Sequence, residues 1–316
     1  MNIEYKKKPL ISVVIPVKNE QSGIMETLES VFKQDYQKYE LVLVDGLSSD
    51  HTVEIAKRIF DIHDKPYRIV LDDSGKGIGH ARNIGWKNSK GEYIAYIDAE
   101  VTVPRDWLSI SIEKANNETI VACLRTLSNK DSFISRMNNT YSRFGRQKGE
   151  VNEISFSQCP VIKKEILEKL GGFDENLGMT MEDIELCSRL IKKRYKLYVE
   201  GIYASYKEPK SVKQSFSRNF KRGKDAAYMF LKHKKKKMLK FHIIVLLMLL
   251  GLILTPISYL FTCISLFCFL ALFVKSFRRG LKYSSIVMAF ISGLFRTFLY
   301  IGLSFGFFVG LLERRT

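Results

Sequence analysis

Asp98 and Glu100 stand one residue apart in the stretch YIAYIDAE. At a strand end, residues i and i+2 project to the same side, so both carboxylates are expected to reach one ligand. Two carboxylates side by side repel. A divalent cation that bridges them to phosphate oxygens relieves that repulsion, and oxygen ligands suit Mg2+ or Mn2+. Such an ion stabilises a departing diphosphate as a Lewis acid. The plainer reading of the pair is two solvated strand-end acids. A second acidic pair, Glu182 and Asp183, opens the amphipathic segment MEDIELCSRLIKK, where it also complements the positive end of a helix. Arg218 and Arg222 are four apart, on one helical face, and two guanidinium groups so placed can grip phosphate.

These groups need a frame. LISVVIPV at 10–17 has the composition of a buried strand, and NEQSGIMETLESVFKQ carries Ile24, Leu28, Val31 and Phe32 at helical spacing. YELVLVDGLSSD is a strand running into a turn, and HTVEIAKRIFD a helix with Asp50 as its N-cap. YRIVLDD is a third strand, GIGHARNIGWKNSKG a loop entering a helix, and EYIAYIDAE a fourth strand. This alternation predicts an α/β fold with a parallel sheet and helices on both faces. In such sheets ligands bind beyond the C-terminal strand ends, which here carry PVKNE, DGLSSD, LDDSGKG and DAE. No GxGxxG follows the first strand, and GKGIGHARN lacks the GK[ST] of a P-loop, which argues against a dinucleotide or P-loop site.

The net charge of +17 is unevenly placed. Up to Tyr206 there are 30 basic and 30 acidic residues; from Lys207 to Thr316 there are 20 and 3. A nucleic-acid partner is not expected, because the basic tail is also where the long apolar runs lie. Phe241–Val274 contains no charged residue and has Pro256 near its middle. It is too long for one ordinary span of about 20 residues, which predicts two short helices joined at TPISY. A basic loop, Lys275–Lys282, follows. Ser284–Leu312 is a further apolar run with Gly293, Gly302, Gly306, Gly310 and one charge, Arg296. It reads as one long span or a broken one. The polybasic stretch before the hairpin places that side in the cytoplasm and attracts anionic membrane lipids. ERRT at the C-terminus also prefers the cytoplasm, which conflicts with a single third span. The expected organisation is a domain over 1–206, a basic juxtamembrane segment over 207–240 and a multi-pass membrane region over 241–316. The five cysteines form no CxxC pair, so neither a disulfide framework nor a zinc site is expected.

VVIPVKNE, LVDGLSSDHT, GKGIGHARNIGWKNSKGEYIAYIDAE, LGGFDE and MEDIELCSRL occur in that order between about Ile11 and Leu190. Together they resemble the family 2 glycosyltransferases, with the Rossmann-like GT-A nucleotide-sugar-binding fold. The resemblance implies a role for each matching residue. Pro16 and Glu20 would line the nucleotide pocket, and Asp45 would hydrogen-bond the base or ribose. Lys76 and Arg82 would lie near the base or diphosphate. Asp98 and Glu100 would stand where the family's DxD acids hold ribose and metal, and Asp183 would be the catalytic base. Glu182, Arg218 and Arg222 fall to the acceptor or its phosphate. Two departures stand out. Glu100 replaces the second Asp of DxD, and Tyr206 lies near where the family often has His. No QxxRW occurs, which argues against processive synthesis.

The activity this implies is inverting transfer from a UDP- or GDP-sugar to a membrane-proximal acceptor, with the catalytic domain on the cytoplasmic face. The acceptor would be a polyprenyl phosphate or a lipid-linked saccharide. Two rivals remain on sequence grounds: a membrane scaffold that keeps the fold without the chemistry, and a nucleotidyltransferase. The latter's Gly-rich loop near the first strand is missing.

Overall fold

The structure is a computed structural model. It describes residues 8–63, 65–127, 132–140, 148–152, 154, 158–177, 180–207, 209–233, 236–282 and 284–313. The chain divides into two compact units. The first comprises Met1–Ser128, Phe144–Gly178 and Glu182–Tyr206, and the second Asn129–Arg143, Met179–Met181 and Lys207–Thr316.

In the first unit β1 (Ile11–Val17), β2 (Tyr39–Asp45), β3 (Tyr67–Leu71) and β4 (Tyr93–Tyr96) alternate with α1 (Ile24–Phe32), α2 (Thr52–Ile62) and α3 (Ile78–Lys87). These strands are parallel, in the order β3-β2-β1-β4, as the alternation predicts. β1 is buried along its whole length because both faces of the sheet are covered. Its Ile11, Val13, Ile15 and Val17 enter one core layer with Ile24, Leu28 and Val31 of α1 and Phe60 of α2. Val14 points the other way, to Ala81 and Trp86 of α3. Asp50 stands one residue before the N-cap His51, yet its carboxylate still accepts from Thr52 N at 3.0 Å.

Beyond β4 the sheet becomes mixed. β5 (Val101–Thr102), β6 (Thr119–Leu127), β7 (Gly149–Val151), β8 (Val161–Lys163) and β9 (Lys196–Tyr206) extend it as β4-β8-β6-β9-β5, with β7 also on β9. β8 runs antiparallel to both β4 and β6. The sheet is mostly parallel over its first four strands, as expected, and β6 and β9 also pair in parallel; the antiparallel pairings of β8 make it mixed as a whole. Helices α4 (Trp107–Lys114), α6 (Lys164–Leu170) and α7 (Glu182–Lys192) complete the unit. Within Val121–Ser157, which carries few sequence signals, 128–131, 141–147, 153 and 155–157 lie outside the described residues.

The second unit holds α5 (Phe133–Thr140), α8 (Val212–His233), α9 (Lys236–Ile253), α10 (Tyr259–Leu281) and α11 (Ile286–Glu313). α9 and α10 form a hairpin whose turn falls at the expected TPISY; Ser265 Oγ of α10 donates to Met248 O of α9 at 2.9 Å. α10 and α11 are long and apolar enough to cross a membrane, by length and composition, while the apolar part of α9, Leu239–Ile253, is shorter. The basic stretch expected as a loop from Lys275 is instead the last part of α10. Its end is closed by Lys282 N donating to Arg279 O. The run after Ser284 is one unbroken helix.

Candidate active site

The C-terminal ends of β1 and β2 are locked together by their loops. Gly46 N donates to Val17 O, Asn19 N to Ser48 Oγ, Ser49 N to Asn19 Oδ1, and Glu20 N to Thr52 Oγ1, at 2.8–2.9 Å. Asn19 and Leu47 take φ of 55° and 58°, a left-handed backbone that non-glycine residues adopt mainly where surrounding contacts over-determine it. Pro16 is buried within β1, in register with Val44 of β2. Asp45 ends β2, buried, and its carboxylate accepts from Ser48 Oγ at 2.6 Å and Ser48 N at 3.2 Å. Asp72 N in turn donates to Asp45 O at 2.8 Å, which ties the end of β3 into the same rim.

β4 stops at Tyr96. Asp98 and Glu100 therefore sit in the following turn, closed by Val101 N donating to Asp98 O at 3.0 Å. The strand alternation invoked from sequence does not place them; the turn does. Asp98 is anchored by Arg82 of α3, whose Nη2 donates to Asp98 Oδ1 at 2.8 Å. Arg82 is buried, and its Nη1 donates to Glu182 Oε1 in the first turn of α7. One guanidinium thus joins the Asp98–Glu100 turn to the Glu182–Asp183 pair across 100 positions of chain. The Arg82 side also packs over Phe173, 5.7 Å from its ring centroid. Burial opposes the charge on Arg82, but the Asp98 and Glu182 carboxylates outweigh it and hold the group firmly protonated. For Glu182, burial and the adjacent Asp183 outweigh Arg82 and push the carboxyl up to about 7. Met181, just before this turn, is held at φ 67°. Asp183 is partly exposed, with Oδ1 accepting from Ile184 N at 2.8 Å.

A second latch holds the GGFDE loop on α3. Asn83 Nδ2 donates to Phe173 O and Glu175 Oε1, and Asn83 Oδ1 accepts from Phe173 N and Trp86 Nε1, at 2.8–3.0 Å. Gly172 lies so close that a Cβ there would meet Asn83 Oδ1 at 2.3 Å, and its φ is 71°; only glycine fits. Glu175 also meets His80 Nδ1 at 2.8 Å and Lys76 Nζ at 3.7 Å, and His80 Nε2 lies 3.6 Å from Asp72. Burial alone would raise the Glu175 carboxyl, but Asn83 and His80 lower it below the usual glutamate range. Sequence reasoning gave no role to Asp72, His80, Asn83 or Glu175. All four lie in segments it singled out, LDDSGKG, GHARN and GGFDE, but their mutual contact is not visible in spacing.

Among the described residues no group of three or more metal-ligating side chains comes together. The donor set nonetheless fits a hard divalent cation. Asp98 and Glu100 offer carboxylate oxygens only, and Asp98 is partly exposed, so the remaining positions would be filled by diphosphate oxygens and water. Arg218 and Arg222 lie one turn apart on α8 of the second unit. Glu20 is half-buried, and Lys76 is largely exposed.

Comparison with known proteins bears on the family and the fold. The sequence model described as "Glycosyl transferase family 2" matches residues 12–171. The dolichyl N-acetyl-α-D-glucosaminyl phosphate 3-β-D-2,3-diacetamido-2,3-dideoxy-β-D-glucuronosyltransferase of Methanococcus voltae is 28% identical over 322 residues, covering 96% of this chain and 97% of that protein. An uncharacterized glycosyltransferase of Haemophilus influenzae is 35% identical over 100 residues; the match covers 32% of this chain and only 40% of that relative. The mannosyltransferase of Pyrobaculum calidifontis, solved with GDP-Man and Mn2+, superposes with a TM-score of 0.63 at 20% identity, covering 98% of this chain and 89% of that one.

Proposed function

The chain belongs to glycosyl transferase family 2, and on that premise we propose that it is a membrane-anchored, inverting enzyme that moves a sugar from a UDP- or GDP-sugar to a lipid-linked acceptor. The observation that carries this reading is the Arg82 bridge. It holds the acids suited to a diphosphate and its cation, Asp98 and Glu100, in one unit with the acids suited to an acceptor, Glu182 and Asp183. A scaffold without chemistry has no need of a buried guanidinium shared by two such carboxylates.

The roles below are those the family resemblance implies, and the contacts support them. The locked β1 and β2 loops, with Pro16, Glu20 and Asp45, receive the nucleoside. Lys76 is exposed at the rim and offers positive charge to the donor. Arg82 acts through Asp98 and Glu182, fixing where both point. A bound Mg2+ or Mn2+, held by Asp98 and Glu100, would neutralise charge on the leaving diphosphate. Asp183 takes the proton of the acceptor hydroxyl as its oxygen forms a bond to the anomeric carbon. The bond from that carbon to the diphosphate oxygen breaks, the nucleoside diphosphate departs and the anomeric configuration inverts.

The Methanococcus relative is named for transfer to the 3-position of a dolichyl-phosphate-linked sugar. That supports a lipid-linked saccharide, whose hydroxyl needs a base, over a bare polyprenyl phosphate, which is already an anion. Arg218 and Arg222 on α8 are suited to the acceptor's phosphate. The test is transfer from UDP- and GDP-sugars into lipid by the detergent-solubilised protein, with Asp98→Ala and Asp183→Asn beside the wild type. Metal-dependent transfer lost in both variants is the expected result. Full transfer by Asp183→Asn would remove the base assignment, and absence of both donor binding and turnover would favour the scaffold.

A further inference from the structure

We propose that Thr27 and Gly23 of α1 are positioning residues for the transfer, and that through them α1 sets the backbone from which Asp98 and Glu100 reach a divalent cation. These roles rest on the donor-site reading above and deepen it.

The acidic turn is pinned at its middle residue. Ala99 is buried and belongs to the same core layer as Ile24 and Leu28 of α1. With that methyl turned inward, the acids on either side stay near the surface, and both are partly exposed. Thr27 is fully buried, and its Oγ1 donates to Ala99 O at 2.8 Å across 72 positions of chain. Gly23, one turn earlier, lies closer still. A Cβ there would meet the same carbonyl oxygen at 2.8 Å and Glu100 Cα at 3.4 Å, so a larger residue would push the turn outward. Arg82 orients the Asp98 carboxylate from α3. The contacts from α1 act on the main chain instead, and so on both acids at once.

The grip continues down the helix. Ser30 Oγ accepts from Val103 N at 3.2 Å. Gln34 Nε2 donates to Pro104 O at 2.7 Å, and Gln34 Oε1 accepts from Leu108 N at 3.0 Å. Positions 23, 27, 30 and 34 share one face of α1. Ile24, Leu28 and Val31 already give the helix an apolar seam in the core. This second, polar seam is directed at one stretch of chain, the one that leaves Asp98.

The start of α1 is tied to the other half of the donor site. Gly23 N and Ile24 N donate to Glu20 O at 2.9 and 3.0 Å, and Glu20 N donates to Thr52 Oγ1 at 2.8 Å. One helix therefore joins the loop proposed for the nucleoside to the turn proposed for the cation. A diphosphate has a fixed reach, so a cation that binds its oxygens while the nucleoside is seated requires these two places to keep their separation. Groups that orient metal ligands in this indirect way typically contribute about 10–100-fold to metal affinity.

The experiment measures Mn2+ uptake by the full chain in detergent beside UDP or GDP, read from the electron paramagnetic resonance of the free ion. Nucleotide affinity without metal and the tryptophan fluorescence melt are recorded alongside. Thr27→Val keeps the shape and removes the donor, Thr27→Ser restores it, and Gly23→Ala presses on the turn from the same side. Tyr36→Phe is the structural control: it removes a bond from a buried phenol to Pro9 O at 2.6 Å, at the end of the sheet away from the site. The expected result is Mn2+ affinity lowered about 10–100-fold in Thr27→Val and Gly23→Ala, recovery in Thr27→Ser and no change in Tyr36→Phe, with metal-free nucleotide affinity the same throughout. Should Thr27→Val fail to fold, Gly23→Ala decides by itself. Wild-type Mn2+ uptake by folded Thr27→Val, or an equal loss in Tyr36→Phe, would overturn the positioning role and leave the donor site standing. A wild type that takes up no Mn2+ beside either nucleotide would overturn both.

Discussion

Replacing Arg82 by Met tests whether the guanidinium organises the site. The substitution keeps a long apolar stem but removes all donors. It leaves Asp98 without its partner at 2.8 Å and Glu182, which is buried, without the cation that faces it. Removing one member of a buried ion pair typically costs about 3–5 kcal/mol, because a charge stays buried and uncompensated. In a unit of this size each kcal/mol lowers Tm by about 2–4 °C, so the expected fall is about 6–20 °C. Both tryptophans, Trp86 and Trp107, are buried in this unit, so intrinsic fluorescence during heating in detergent reports its melting directly. Adding Glu182→Gln removes one stranded charge. The double variant should then lose less than the sum of the two single losses, by about 0.5–3 kcal/mol. Sugar transfer should fall with the single variant even at temperatures where it remains folded. A Tm within about 2 °C of wild type, with transfer unchanged, would refute the view that Arg82 holds the two acidic pairs in place.

The Glu182 carboxyl is raised from 4.5 to about 7 in the folded protein, so the stability it contributes is fully present below about pH 4.5 and is lost as pH rises through about 7; Glu182→Gln should flatten that decline in a Tm-against-pH series. Glu200 behaves oppositely. Burial raises its carboxyl, but Gly201 N–H, Lys114 and Lys148 lower it to about 2. Its contribution is present above about pH 4.5 and lost as pH falls towards 2, and Glu200→Gln should remove that acid-sensitive step. Gly172→Ala places a Cβ 2.3 Å from Asn83 Oδ1 at φ 71°. It should destabilise the unit by about 1–3 kcal/mol, measured by the same fluorescence melt, whereas Gly171→Ala, with nothing within 4 Å, keeps only the backbone penalty of its own positive φ. Gly306→Leu, whose Cβ would meet Phe220 O at 1.9 Å, should separate α11 from α8 and expose that face to protease.

What could be read in the chain was what local periodicity and motif order carry. β1 to β4 and α1 to α3 each announce themselves by runs of apolar residues, and their alternation fixes the parallel half of the sheet. β5, β7 and β8 span two or three residues each, too few to show any period, so the antiparallel pairings that make the sheet mixed could not be read in advance. The same holds within the site. Asp98, Glu100, Asp183 and Arg82 could be singled out by type and by resemblance, but not the link that Arg82 makes between the two acidic pairs. Its contact with Glu182 spans 100 positions, a distance in sequence over which spacing says nothing.

The seam between α8 and α11 also has a temporal side. Gly223 lies against Leu303, and Gly306 against Phe220, so α8 is covered by residues made about 80 positions later. At about 5–20 residues per second, the ribosome leaves α8 without its cover for about 4–16 s, and the hairpin is translated in that interval. During biosynthesis the buried face of α8, with Ala226, Ala227 and Met229, must rest on something else. A chain released before the last turns of α11 would keep its first unit whole and lose the order of the helix that precedes the α9–α10 hairpin. Truncation near Glu313 should therefore be read out in chaperone capture and turnover of the nascent chain before any change in the chemistry of the first unit.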